Sequence, residues 1–167
     1  TILLIFHNIA LVGCAAAPFY NTRLVNQRAQ FGKKLYYQLD KVVEDTIQGL
    51  EPYCWTFIIV LFATGFAFPV THYLFHGQMK EVSKVVTIAF IFKHIFVLGM
   101  VGIAFYITFF INPKIKEIFF QFKPDISPDE QLTGQFFGLR ANRKKLCKIC
   151  FIFALLILII SPVLRFY

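Results

Sequence analysis

Four histidines, His7, His72, His76 and His94, offer the most specific chemistry in this sequence. They stand in stretches that are otherwise apolar, and His72 and His76 are spaced i,i+4, on one face of a helix. An imidazole placed in lipid is costly, so one inside a membrane bundle reads by default as functional. The chemistry on offer is ligation. Two neutral imidazoles on facing helices can hold a haem iron axially, and three or four together can hold copper or zinc. The plain alternative has His72 and His76 meeting water at an interface while His7 hydrogen-bonds a neighbouring helix.

Lys93 is a cation in the middle portion of an apolar stretch, and no Asp or Glu stands in any such stretch to pair with it. Snorkelling of its flexible stem is one explanation. The sharper one is a cation held for a ligand's carboxylate, such as a haem propionate, or for a partner subunit. Four cysteines, Cys14, Cys54, Cys147 and Cys150, complete the set. Cys147 and Cys150 have the CxxC spacing of redox and metal sites, but no His follows to make a haem-attachment motif and there is no second CxxC. They are read as small apolar thiols, with a zinc or disulfide role open only if Cys14 or Cys54 is adjacent.

The elements that must position these residues follow from composition. Of 167 residues, 57% are hydrophobic and 18% aromatic but only 16% charged, and the mean hydropathy is +0.64. That leaves too little polar surface to coat a water-soluble globule, and it excludes disorder and a secreted disulfide scaffold. About 20 apolar residues cross a bilayer core, and four stretches qualify: 1–20, 53–76, 85–111 and 146–164. The fold class expected is all-α, one membrane domain over 1–167 built as a four-transmembrane-helix bundle. The first stretch lacks the basic n-region of a signal peptide, so it is read as a retained span. Between the first two spans Leu24, Phe31, Leu35, Leu39, Val42, Val43, Ile47 and Leu50 recur at three- and four-residue steps, which predicts an amphipathic helix on the membrane surface or extending a span. Gly49 with Pro52 marks a bend before the second span. Asn112-Pro113 is expected to end the third, and Ser127-Pro128-Asp129-Glu130 to cap a last helix that could run through Lys145 into the membrane.

Charge sets the orientation. The net charge is +8; five basic residues lie between the first two spans and seven between the last two, but only Lys80 and Lys84 between the middle two. The positive-inside rule then places both termini on the outer side of an inner membrane of bacterial or organellar type. Helical rise puts His7 about 9 Å and His94 about 13 Å below the outer surface, with His72 and His76 in the last turns of the second span. All four histidines fall in the outer half, while the cysteines gather near the inner face.

Several features resemble the CopD-like membrane proteins and the HemJ-type protoporphyrinogen oxidases. Four helices with a His near the outer end of the first, and a basic loop after it, are common to them. As in the oxidases, His7 leads to Phe19-Tyr20 and then Arg23-Leu24. Lys93 in Phe92-Lys93-His94 resembles the Lys that opens their third helix, Thr64-Gly65 resembles a Thr-Gly of the second helix in CopD-like proteins, and Asn112-Pro113-Lys114-Ile115 resembles the ending of their third. The chain departs from them at Val12-Gly13-Cys14, where a Trp-x-Gly is usual, and lacks the Asn-x-x-Pro that opens the last helix of the oxidases. The resemblance implies haem b or copper near His7, with Lys93 close by.

Two functions are thereby expected. The first is a redox-type membrane protein binding haem b, or copper, through His7 and His94 or His72, within an electron-transfer assembly. The second is a non-catalytic accessory subunit of a respiratory or photosynthetic complex, since 22 Phe offer packing surface but no nucleophile, acid pair or phosphate loop is visible. An ion transporter ranks last, for want of polar residues through both leaflets. The expected partners are the lipid bilayer and other membrane subunits. Nucleic acid is not expected, because the basic residues flank helix ends where topology and anionic lipid explain them.

Overall fold

A computed structural model describes residues 2–32, 34–77, 83–123 and 129–166, with the side chains of 76 and 162–166 left aside. The described residues form helices α1 (Ile2–Ala29), α2 (Tyr37–Gly49), α3 (Glu51–His76), α4 (Lys84–Tyr106), a π-helical turn (Ile107–Ile111), α5 (Asn112–Gln121) and α6 (Glu130–Phe166), and no strand. Three helical runs among them, Ile2–Ala29, Tyr37–Phe75 and Lys84–Gln121, are long and apolar enough to cross a membrane. In the second run the apolar part is α3; α2 is amphipathic. The fourth predicted stretch, 146–164, forms the second half of α6.

The long helices pack antiparallel. Phe57 of α3 lies against Gly13 of α1, Phe151 of α6 meets Phe19 of α1, and Phe153 of α6 meets Phe96 of α4. One end of the bundle therefore carries α2, α5 and the start of α6; the opposite end carries Gly77, whose left-handed backbone (φ 67°) closes α3. Side chains such as Phe66, Leu74 and Leu98 remain well exposed on the outside, as expected of surfaces that face lipid or partner helices.

Burial along α6 follows one seam. Phe136, Arg140, Arg143, Cys147, Cys150, Ala154 and Ile157 are all buried, at alternating steps of four and three residues. That spacing keeps one stripe of a helix facing its neighbours. Arg140 and Arg143, which sequence reading treats as loop charges, sit inside the stripe.

One expectation about a helix end is corrected. Asn112-Pro113 does not stop the third helix, which continues as α5 to Gln121. Proline lacks an N–H and its ring crowds the carbonyl four residues back. The π turn before it widens the helix, the Asn112 N–H donating to Ile107 O, and the chain passes Pro113 without breaking. At the start of α6 Asp129 Oδ1 accepts from the Gln131 N–H at 3.1 Å; the cap expected at Ser127-Pro128 lies outside the described residues.

Candidate functional site

In the half of the bundle towards Gly77, His7 is half-buried and bonded across to α3: Nδ1 lies 2.8 Å from Thr64 Oγ1. The Thr64 hydroxyl gives its hydrogen to the Val60 carbonyl one turn back, at 2.6 Å. Its oxygen must then accept from His7, so the network assigns the proton to Nδ1 and leaves the lone pair on Nε2. Phe68, one turn beyond Thr64, presses its edge against the imidazole at 5.6 Å between centroids. Lys93, half-buried on α4, lies near enough for its charge to act on His7. Among the described residues no carboxylate pairs with Lys93.

His94 does not converge on this point as depth alone suggested. His94 is exposed; its Nδ1 lies 2.7 Å from the Phe90 carbonyl and its ring rests on the Phe90 ring at 3.9 Å. Successive helical residues point about 100° apart, so when Lys93 turns towards α1 its neighbour His94 turns away. His72 is half-buried two turns beyond Thr64 on α3, and the ring of His76 lies outside the described residues. Among the described residues, no three or more His, Cys, Asp or Glu side chains are placed together to hold a metal ion.

At the α2 end the structure brings together residues that sequence reading missed. Asp40 of α2 is fully buried and accepts from Arg28 Nε and Nη2 at 2.7 Å each, from Arg140 Nη1 at 2.6 Å and from the Tyr36 N–H at 3.0 Å. One turn on, Glu44 Oε1 accepts from Arg140 Nε at 2.9 Å and Arg143 Nη2 at 2.7 Å. Arg143 also donates to Asn112 Oδ1 at 3.0 Å, and the Asn112 amide donates to Glu51 at the start of α3. The Arg28 and Arg140 guanidiniums lie over the Phe137 ring, and Arg140 lies over Phe136 at 4.8 Å. Three arginines thus face three carboxyl groups, and α1, α2, α3, α5 and α6 are tied by one network.

Burial on its own would push the Asp40 carboxyl up, but the hydrogen bonds from Arg28 and Arg140 outweigh it and hold the group below its ordinary value. Glu51 goes the other way: burial raises its carboxyl in spite of Asn112, Arg143 and Lys116 nearby. A signal was present in the sequence. Asp40, Val43, Glu44 and Ile47 stand at i, i+3, i+4 and i+7, the spacing of a buried stripe, so two acids occupy core positions of α2.

Cys14, Cys54, Cys147 and Cys150 are free thiols from three helices, and all four line one cavity between this network and the His7 half of the bundle. Comparison of the chain with protein-family models, curated proteins and solved structures finds no match.

Proposed function

We propose that the chain is an integral membrane protein of redox type that holds a prosthetic group, haem b or copper, through His7 within a larger membrane assembly. The observation that carries this reading is the His7–Thr64 hydrogen bond. A metal-ligating histidine commonly gives its second ring N–H to an oxygen acceptor, which fixes the tautomer and makes the remaining nitrogen a better ligand. Thr64 does this for His7, leaving Nε2 as the donor.

The residues fit one half of a haem site. His7 would hold the iron, Thr64 and Phe68 would fix the ring plane, and the half-buried Lys93 would neutralise a propionate or another ligand-borne carboxylate. Bound haem supplies one-electron transfer. A six-coordinate iron between His7 and His94 does not fit, because the His94 ring lies exposed against its own helix; the opposite ligand would come from another element or a partner subunit. On this reading all four predicted stretches span the bilayer, the basic α2 end faces inward and the histidines lie in the outer half. The similarity of Thr64-Gly65 and Lys93 to CopD-like and HemJ-type proteins points the same way.

Absorption spectra and metal analysis of protein purified in mild detergent, after expression with haem precursor, test it. A Soret band, or a copper equivalent that Cys150→Ser retains, that disappears in His7→Ala and weakens in Thr64→Val is expected. A colourless, metal-free protein, or a band unchanged in His7→Ala, overturns it.

A second reading is favoured by the buried network: the arginines and acids at the α2 end are spent on one another, as in a subunit whose task is to hold helices in place for its neighbours. Purification within a stoichiometric complex, with no chromophore of its own, would favour this accessory role. A stable solitary monomer speaks against it.

A further inference from the structure

Five of the six sulfur-bearing side chains of this chain line a single cavity. The sequence holds four Cys and two Met; Cys14, Cys54, Cys147, Cys150 and Met100 all border the same space of about 90 Å³, and Met79 lies outside the described residues. They arrive from α1, α3, α4 and α6, so the convergence is made by the packing and is invisible in the one CxxC spacing. Cys150 is central: its thiol lies 3.9 Å from the Met100 carbonyl.

Two helices are interrupted beside the cavity. Pro18, on the cavity wall, has no N–H to give the Cys14 carbonyl one turn back. The π turn opens the long helix opposite and turns Thr108 to meet the Trp55 indole N–H at 3.4 Å. Towards the α2 end the lining becomes polar, with Asn21, Glu51 and Asn112, and the buried Asn21 Oδ1 has no hydrogen-bond partner among the described residues. The space is several times that needed by one water, and it grades from polar groups at the α2 end to sulfur at its depth.

We infer that this cavity is a binding site for a soft monovalent cation, Cu(I) in chemical class, held by two thiolates with Met100 on the cavity wall. Thiolate and thioether ligands select Cu(I) over the harder divalent ions. Such an ion is satisfied by two or three sulfur ligands, so no cluster of three acidic, thiol or imidazole groups is needed. For each thiolate ligand an S–H bond is replaced by an S–Cu bond and one proton passes to water, two per ion, so affinity rises with pH. No electron is transferred.

This inference is independent of the His7 reading. The full-length protein in detergent, under reducing conditions, is titrated with Cu(I) against bathocuproine disulfonate. One Cu(I) withdrawn per chain is expected, with a near-ultraviolet thiolate-to-copper band. Cys54→Ser and Cys150→Ser each weaken binding by roughly tenfold or more, and His7→Ala leaves it unchanged. Met100→Leu, which conserves volume, weakens it less and serves as the reporter should a cysteine variant fail to fold. No copper withdrawn from the chelator overturns the proposal, as does binding indifferent to Cys54→Ser, Cys150→Ser and Met100→Leu. Binding lost in His7→Ala alone also overturns it, while leaving the histidine site standing.

Discussion

Removing the Asp40 carboxylate is the sharpest test of the buried network. In Asp40→Ala two guanidiniums lose their shared acceptor and the cluster gains one net positive charge. Neither arginine is stranded entirely. Arg28 keeps the Gly32 and Lys34 carbonyls at 3.0 and 2.7 Å, and Arg140 keeps Glu44. Water cannot replace the lost oxygens cheaply, because the Arg28 and Arg140 side chains are only 1% and 3% exposed. Breaking a buried ion pair from one side costs about 3–5 kcal/mol, and the surviving partners hold this case within that range. For a chain of this size each kcal/mol moves the melting temperature by about 2–4 °C, which gives a fall of about 6–20 °C. Thermal unfolding in detergent, followed by circular dichroism, measures it. The exposed Asp45, one residue after Glu44, is the control, and Asp45→Ala should lie within about 0.5 kcal/mol of the parent. Asp40→Leu combined with Arg140→Met should recover part of the loss, because a stranded charge costs more than an apolar replacement of both partners. A melting temperature for Asp40→Ala no lower than that of Asp45→Ala would refute the reasoning.

Acidity should act through the same residues, with opposite signs. Asp40 is held below its ordinary value in the folded chain, so its contribution is complete above the unfolded carboxylate value near pH 4 and is lost as pH falls through the folded one. Glu51 is raised, so what it contributes is present while protonated and declines as pH climbs through its folded value. Melting scans from pH 3 to 8 should therefore show an acid loss that Asp40→Asn flattens, and Glu51→Gln should gain stability on the alkaline side; an unchanged acid branch in Asp40→Asn would count against the assignment. The packing of α1 on α3 is tested at Gly13, where an added Cβ would come within 2.5–2.7 Å of three Phe57 ring atoms. Gly13→Ala should cost about 1–3 kcal/mol by overpacking, whereas Gly65→Ala, with nothing within 4 Å of its Cβ, should be neutral or stabilising; equal melting temperatures for the two would contradict the close approach.

Much of the architecture was legible in the chain. Long apolar runs must be helical if they are to satisfy their backbone in lipid, and that alone locates the three long apolar helices and the apolar half of α6. The three-and-four spacing around Val43 and Ile47 announced α2, and Gly49 with Pro52 the bend after it. Position along each helix axis was legible too, since helical rise converts residue number into distance along the bundle.

Direction around each helix axis was not. Rise says how high a side chain stands, but which neighbour it faces depends on how helices pack, and a neighbour is a long-range fact. His7 and His94 were matched in height, yet packing turned one towards Thr64 and the other outward. Arg28, Arg140 and Arg143 counted in sequence as loop cations, because positive charge flanking apolar runs is the ordinary mark of topology; only the seam of α6 against α2 revealed that they are buried and paired. Cysteines separated by up to 136 positions meet at one cavity for the same reason: composition and period decide which elements form, and the fitting of their surfaces decides which side chains share a space.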